Sequence, residues 1–100
     1  MYFAVQYYCG YNNTVQITCD PAKNAANIER RDLPFDLIAE LDWATAVIVE
    51  DVRRDYGEPR YRVFGYIGDR LYAAVFTPRK DVLHVISLRK ANSREVKRHG

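Results

Sequence analysis

The chain of 100 residues is long enough for one domain and too short for two, since a second unit would bury too little apolar surface. Hydrophobic residues make up 48% and charged residues 28%, which excludes wholesale disorder, and no apolar run has the length of a membrane-spanning helix. The formal charge of +2 is unevenly distributed, because residues 33–59 carry seven acids against two bases and residues 60–100 ten bases against three acids. The basic part fits a phosphate-binding surface and, equally well, an ordinary solvated face.

The first fourteen residues differ from the rest, because they contain five aromatic residues and no charged side chain. They lack the basic start and the unbroken apolar centre of a secretory signal. One interpretation is an additional edge strand over residues 2–8 that turns at residues 10–13 into a strand over residues 14–19. The other is that the native product begins near Val15.

Two helices are predicted after this first strand. Asp20 offers an N-cap carboxylate and Pro21 suits the first helical position, so a helix is expected over residues 22–31, with a narrow apolar stripe of alanines and Ile28. Residues 32–34 break it. Apolar side chains then recur at helical spacing over residues 35–43, which predicts a second short helix.

The second half of the chain is predicted to form strands and a last helix. The strands are expected at residues 46–50, 60–67, 71–77 and 82–88, with a charged loop at 51–59 and turns at 68–69 and 78–81. Asn92 or Ser93 can cap the final helix, with Glu95 in its first turn. The order β-α-α-β-β-β-β-α predicts an α+β fold with helices on one side of a mostly antiparallel sheet.

Cysteines and histidines form no metal-ligand pattern. Cys9 and Cys19 are too few for a disulfide framework, so two free thiols in a reducing cytoplasm are expected, although the two are also able to pair. His84 and His99 lie far from both cysteines in the sequence. We therefore predict no metal and no cofactor.

Four segments of the chain resemble the BrnT family of toxins: DPAKNAANIERRDLPF, GEPRYRVFG, GDRLYAAVF and VISLRKANSREVKR. The Asn four residues after Lys23 and the Ile-Ser-x-Arg step at residues 86–89 are specific features. The resemblance covers roughly residues 15–98 and implies a RelE-like fold with two N-terminal helices and a short C-terminal helix. Members commonly begin a few residues before the Asp-Pro, which favours a start near Val15, with residues 1–14 as an atypical extension and residues 15–100 as the toxin domain.

The function implied by this resemblance is that of a bacterial, cytoplasmic endoribonuclease toxin of a type II toxin–antitoxin module, which cleaves RNA without a metal and so inhibits translation. Its partner would be a BrnA-like ribbon-helix-helix antitoxin. The complex would bind operator DNA only through the antitoxin, and no membrane is implied. The alternative is a catalytically degenerate homologue that binds nucleic acid or antitoxin.

Metal-independent RNA cleavage needs fixed cations, because attack by the 2′-hydroxyl adds negative charge to the phosphoryl oxygens. Arginine suits this task because its planar fork holds a phosphate through two hydrogen bonds. Matched to the family motifs, Arg60 and Arg89 are the candidates, with Arg89 the first choice, and Glu95 is a candidate general base, a partner that orients Arg89, or a helix cap. The expected RNA-binding residues are Lys23, Arg30, Arg31 and Lys90.

Proton transfer is the uncertain part of this assignment. Arg31 stands where many relatives have His, and a guanidinium cannot exchange protons near neutral pH. His84, where relatives often have Arg, and His99, near the position of a terminal Tyr, are the candidate replacements. Each also has an ordinary interpretation, His84 as a half-buried strand residue and His99 as part of a frayed terminus. A weakened or inactive toxin is therefore the competing expectation.

Aromatic residues recur along the predicted strands, and they fit either base stacking or packing in the core. Packing is expected for most of this set, which comprises Tyr61, Tyr66, Tyr72 and Phe76.

Overall fold

The fold is described by a computed structural model that covers residues 5–8, 16–79 and 82–100, with the backbone alone at 5–8 and 16. The strands are β1 (Val5–Tyr8), β2 (Gln16–Cys19), β3 (Val47–Glu50), β4 (Tyr61–Ile67), β5 (Arg70–Arg79) and β6 (Val82–Lys90). The helices are α1 (Pro21–Arg31), a 3₁₀ helix (Phe35–Glu40) and α2 (Ser93–His99). The predicted α+β class is confirmed. Within the described ranges, no helix is long and apolar enough to cross a membrane.

The strands form one sheet in the order β1-β2-β6-β5-β4-β3. Every neighbouring pair is antiparallel except β2 and β6, which are parallel. The interpretation of the N-terminus as an edge strand agrees with β1, although β1 begins at Val5 and the predicted turn at residues 10–13 lies outside the described residues. The translation start near Val15 stays a prediction.

Helix α1 begins and ends where the sequence predicts. The Ala22 N–H donates to Asp20 Oδ1 at 2.9 Å, and Pro21 occupies the first turn. The helix ends at Asp32, which has a left-handed φ of 58° and donates its N–H to the Ile28 carbonyl at 2.8 Å. The expected apolar stripe does not face the core, since Ile28 is 41% exposed.

Two asparagines form the buried face of α1 instead. Asn27 Nδ2 donates to the carbonyls of Leu33 and Leu88 at 2.8 and 3.0 Å, and Asn24 Oδ1 accepts the N–H of Phe35 at 2.8 Å. These bonds attach α1 to β6 and to the segment after the helix. The Asn four residues after Lys23 therefore has a structural function here.

The predicted second α-helix is wrong in type and length. Residues 35–40 form a 3₁₀ helix, and the chain is extended again at Leu41, whose N–H donates to Ile38 O at 3.2 Å. The Trp43 indole N–H donates to that same carbonyl at 3.3 Å. A short segment that begins without a side-chain cap gains little from α-helical hydrogen bonds, and the tighter turn brings its apolar residues onto the sheet.

The core lies between the sheet and the layer formed by α1 and the 3₁₀ helix. Its fully buried side chains include Ile17, Phe35, Ile38, Val63, Val85 and Leu88. Tyr61 stacks on Phe76 with ring centroids 5.7 Å apart, and Tyr72 packs against the same cluster. Three of the four candidate stacking aromatics thus pack in the core or against it, as expected for most of them.

Helix α2 lies on the opposite face of the sheet, which corrects the prediction that all helices share one side. Leu88 and Val63 point into the core, so their neighbours Arg89 and Phe64 point away from it. Arg89 pairs with Glu95 of α2, and Phe64 stacks on His99 at the end of the same helix. No residue of α2 is buried, so it covers this face only loosely.

A β-bulge in β6 decides which side chains reach this second face. Val75 of β5 pairs with Ser87, and the next residue, Phe76, pairs with Val85, so Ile86 is the additional residue. Because of it, His84 lies on the same face as Arg89 although the two are five residues apart. Strand β5, which pairs with β6, includes Pro78 and Arg79, although a turn was predicted at residues 78–81. The other two residues of that turn, Lys80 and Asp81, lie outside the described residues.

We expect Asn27→Ala to lower the free energy of unfolding by about 2 kcal/mol, because the substitution leaves two buried carbonyls without a donor. Urea denaturation measures this difference. Glu29→Ala, an exposed change on the same helix, should stay near the wild-type value. An Asn27→Ala midpoint equal to that of Glu29→Ala would show that the two bonds do not hold α1 in place.

Candidate active site

We call the face of the sheet opposite the core the open face. One cleft is formed where the start of α1 meets the residues before β4 and strands β5 and β6, and another lies on the open face beneath α2. Beside the cleft beneath α2, Arg62, Ser87 and Arg89 line a small recess over β4, β5 and β6. The open face therefore collects cations from β4 and β6 that the sequence separates by more than twenty residues.

The first cleft, which we call the imidazole cleft, has a volume of about 210 Å³. Its polar lining consists of Asp20, Lys23, Glu58, Arg60, Arg79 and His84. Three residues predicted from separate motifs, Lys23, Arg60 and His84, therefore meet in one place. Arg79 was not predicted, because it was assigned to a turn, and Glu58 was counted only as part of the acidic segment.

The imidazole of His84 is held at the wall of this cleft and is only 8% exposed. Its Nδ1 lies 2.8 Å from Thr18 Oγ1, across the parallel pair formed by β2 and β6. Burial lowers the pKa of His84 below its ordinary value, and the charge of Arg79 lowers it further. The ring is therefore mostly neutral near pH 7 and able to accept a proton.

Arg79 is paired with a carboxylate at the mouth of the imidazole cleft. Its Nε and one terminal nitrogen donate to the two oxygens of Glu58 at 3.3 and 3.0 Å. The hydrogen bonds from Arg79 lower the pKa of Glu58. This pair contributes little net charge to the cleft, so Lys23 and Arg60 are its principal positive groups.

Arg60 is positioned by the loop that precedes β4. Its guanidinium carbon lies 4.1 Å from the centroid of the Tyr56 ring, and the Tyr56 hydroxyl donates to Asp51 Oδ2 at 3.3 Å. The Asp51 N–H donates to the Arg60 carbonyl at 2.7 Å. The buried Arg60 Nε has no hydrogen-bond partner among the described residues, and the guanidinium forms no ion pair with any of them, so its charge is not neutralised by a carboxylate at contact distance.

The Asp51 carboxylate stabilises this loop as an anion. Arg53 donates to both of its oxygens at 2.7 Å, and these hydrogen bonds hold the pKa of Asp51 well below its usual range. Asp51 itself is 5% exposed. The loop of residues 51–59, predicted simply as charged, is thus ordered by a buried carboxylate that pairs with an exposed arginine.

Arg89 and Glu95 form a bidentate ion pair at the other end of the open face. Both terminal nitrogens of Arg89 donate to the two Glu95 oxygens at 2.8 Å. Glu95 also accepts the Asn92 N–H at 2.9 Å and completes a capping box. These contacts lower the pKa of Glu95 to about 2, with the Arg89 hydrogen bonds as the largest cause. Such a weakly basic carboxylate suits orientation and capping better than proton abstraction.

The second cleft, which we call the arginine cleft, has a volume of about 250 Å³ between α2 and strands β3 and β4. It is lined by Arg62, Phe64, Arg94, Glu95, Arg98 and His99, among others. The His99 ring stacks on Phe64 at a centroid distance of 4.2 Å, so His99 is not a frayed terminus.

The sequence interpretation missed three arginines of this cleft. The sequence held a signal for each of them. Arg62 is two residues from both Arg60 and Phe64, so all three side chains are expected on one face of the strand. Arg94 and Arg98 are four residues apart, which places them on one side of a helix. The structure brings them together because α2 packs on the open face.

The remaining predicted RNA-binding residues lie outside both clefts. Arg30 and Arg31 are exposed in the last turn of α1, where positive charge is favourable at a helix C-terminus. Lys90 is exposed at the end of β6. Their RNA-binding role stays a prediction that the geometry of the two clefts does not use.

Metal and thiol chemistry has little support in the part of the chain that the structure describes. There, no group of three or more His, Cys, Asp or Glu side chains is placed to hold a metal ion. Cys19 is buried in the core, and Cys9 lies outside the described residues. The expected absence of a metal and the state of the two thiols both stay predictions.

Comparison with known proteins assigns the chain to a family. The model of the family described as "Ribonuclease toxin, BrnT, of type II toxin-antitoxin system" matches residues 19–95. The chain belongs to the BrnT family. The match begins in β2 and ends in α2, so it includes most of the residues that line both clefts. No curated protein and no solved structure gives a significant match.

We expect Glu95→Gln to lower the free energy of unfolding by about 1 kcal/mol at pH 7, since the partly exposed pair with Arg89 loses its charge while Gln preserves the capping box. Because the Glu95 pKa falls from 4.5 to about 2 on folding, this contribution is complete above pH 4.5 and is lost as the pH falls towards 2.

Thermal unfolding at pH 7 and at pH 2 measures the effect, with Asn92→Ala as the matched control. That change removes the cap and leaves the ion pair, so its loss of stability should be similar at both pH values. An equal deficit of Glu95→Gln at pH 7 and pH 2 would contradict the ion pair as its source.

Proposed function

We propose that this chain is a metal-independent endoribonuclease, the toxin of a type II toxin–antitoxin module, and that RNA is cleaved in the imidazole cleft. The observation that carries the proposal is the convergence of Lys23, Arg60 and the neutral imidazole of His84 on one cleft of a BrnT family member. Cations for the phosphate and a group for proton transfer are the two requirements of the reaction.

The reaction begins when His84 takes the proton of the RNA 2′-hydroxyl. The 2′ oxygen forms a bond to the adjacent phosphorus, the bond from phosphorus to the 5′ oxygen breaks, and the imidazolium returns the proton to that departing oxygen. The products are a 2′,3′-cyclic phosphate and a 5′-hydroxyl. Arg60 and Lys23 bind the phosphoryl oxygens, on which negative charge develops in the transition state.

Arg89 has a different task in this proposal from the one that its position in the motif implies. Both of its terminal nitrogens are engaged by Glu95, so it positions α2 beside the open face. Arg60, which lines the imidazole cleft and forms no ion pair with a described residue, is the better candidate for transition-state stabilisation.

The antitoxin in this proposal is a BrnA-like ribbon-helix-helix protein that covers the basic open face with an acidic or helical segment. The complex reaches operator DNA through the antitoxin, and the toxin, with a RelE-like fold, acts on RNA in the cytoplasm to inhibit translation. Family membership supports an antitoxin partner and an RNA substrate in general.

A second candidate function, a degenerate toxin that binds antitoxin without cleaving RNA, is favoured by one observation. His84 is only 8% exposed, so a ribose hydroxyl has a narrow approach to the ring. The activity measurements below separate the two functions.

Purified protein is expected to cleave single-stranded RNA in EDTA, and Arg60→Ala should lower the rate by about a hundredfold or more, because the transition-state charge loses a donor. Arg70→Ala, which removes an exposed charge outside both clefts, is the matched control and should cleave like wild type. Equal cleavage by all three proteins would indicate a contaminating nuclease, and none by wild type would favour the degenerate toxin.

The cleavage rate should fall as the pH drops below 6.5, since His84 must be neutral to accept a proton and burial places its pKa below that value. His84→Gln should lose this limb and about a hundredfold in rate. The pH–rate profile of His99→Gln, whose imidazole lies in the other cleft, should keep the limb. A limb that persists in His84→Gln would remove His84 from the mechanism.

A further inference from the structure

The arginine cleft has the features of a nucleic-acid site, although the reaction proposed above does not use it. Arg62, Arg94 and Arg98 contribute three positive charges, while the fourth arginine nearby, Arg89, is balanced by Glu95. Among the described residues, the buried Nε of Arg62 has no hydrogen-bond partner, which is also true of Arg60 in the imidazole cleft. Each cleft holds an arginine that forms no ion pair with a described residue, so its guanidinium charge is available to an anion.

Aromatic rings accompany these cations. Phe64 and His99 stack nearly in parallel, at an angle of 17°, and both line the cleft. Cations beside stacked rings suit a single-stranded nucleic acid, whose backbone is anionic and whose bases stack on flat side chains. An acidic peptide would use the charges alone, so the rings favour RNA as the occupant.

The size of the cleft sets how much of an RNA it takes. Its volume of about 250 Å³ is smaller than pockets that enclose a drug-sized ligand. It suits a phosphate with part of its sugar, and the base remains near the mouth of the cleft.

Alternate residues of one stretch of chain line the two clefts: Arg60, just before β4, lines the imidazole cleft, and Arg62 and Phe64 of β4 line the arginine cleft. On β6, His84 and Arg89 pair with Thr77 and Ala73, which are four residues apart on β5, so at ~3.3 Å per residue they are separated by roughly 13 Å. The recess lined by Arg62, Ser87 and Arg89 adjoins the arginine cleft at Arg62 and extends from there over β5 and β6. One RNA strand can follow this path over the open face.

We propose that the arginine cleft is a second phosphate-binding subsite, which holds the backbone of single-stranded RNA away from the bond that is cleaved in the imidazole cleft. This proposal rests on the proposed function, because the strand is taken to be the substrate. Arg62, Arg94 and Arg98 bind the phosphate, and His99 stacks with the neighbouring base. Short RNAs that fill only the imidazole cleft gain nothing from the second subsite.

The test measures binding without cleavage, with 2′-O-methyl RNA, in which the attacking hydroxyl is blocked. Fluorescence anisotropy gives the Kd of a dodecanucleotide and a dinucleotide at several salt concentrations. The variant Arg94→Ala/Arg98→Ala removes two exposed charges inside the cleft, and Lys97→Ala/Arg70→Ala removes two exposed charges outside it. Arg62→Gln is an independent variant on β4, which does not alter α2.

The expected result is a Kd for the dodecanucleotide that rises about tenfold or more in Arg94→Ala/Arg98→Ala, with a salt slope smaller by about two. Dinucleotide binding should stay unchanged, and Arg62→Gln should show the same length dependence. The charge-matched control should bind like wild type.

Equal losses of affinity for the dodecanucleotide in the cleft variant and in the charge-matched control would overturn the proposal, since binding would then depend on the overall charge alone. Unchanged RNA affinity with weakened antitoxin binding would also overturn it and assign the cleft to the antitoxin. Because binding is measured with an uncleavable RNA, the length-dependent loss supports the subsite even if wild type proves unable to cleave RNA. If wild type cleaves RNA but the cleft variant shows no length-dependent loss of RNA affinity, the proposed nuclease activity stands and the second subsite is rejected.

Discussion

The additional residue in β6 is the constraint on which the arrangement of the open face depends. In a regular strand, successive side chains point to opposite faces. Without the bulge, His84 would therefore point into the core, as Leu88 does, and Val85 would point to the open face. With Ile86 inserted, Leu88 and Val85 both point into the core, and Arg89, Ser87 and His84 all point away from it. Bulges often redirect side chains next to active sites. Here the bulge places the side chain of His84, which lines the imidazole cleft, on the same sheet face as Arg89.

Ion pairing then determines where positive charge is available for a phosphate. Glu58 balances Arg79 and Glu95 balances Arg89, so two arginines act as structural supports. The buried Asp51 orders the loop that presents Arg60, through Arg53 and the Tyr56 ring. The acidic segment of the sequence thus supplies a partner, Glu58, for the basic one, and among the described residues the clefts keep five cations outside these ion pairs: Lys23, Arg60, Arg62, Arg94 and Arg98.

The sequence predicted the elements governed by local chemistry. Asp20, Pro21 and Asn92 marked helix starts correctly, because capping depends on residues a few positions apart. It failed where tertiary contacts decide. The buried asparagines of α1 are satisfied by carbonyls of Leu33 and Leu88, and the 3₁₀ helix forms where apolar residues meet the sheet. The bulge has no local signature, so its effect on His84 was not predicted. The union of Arg62 with Arg94 and Arg98 was missed because it depends on the packing of α2 through the Arg89–Glu95 and Phe64–His99 contacts.

The most direct test of the central claim, that the open face is the RNA site, is an NMR titration with uncleavable 2′-O-methyl RNA that follows imidazole and arginine Nε resonances. We predict saturable chemical-shift changes at His84, Arg60 and Arg62 as RNA is added. The resonances of Arg30 and Arg31 on α1 should not change. Shifts confined to Arg30 and Arg31, with His84 and Arg60 unchanged at saturation, would contradict the claim.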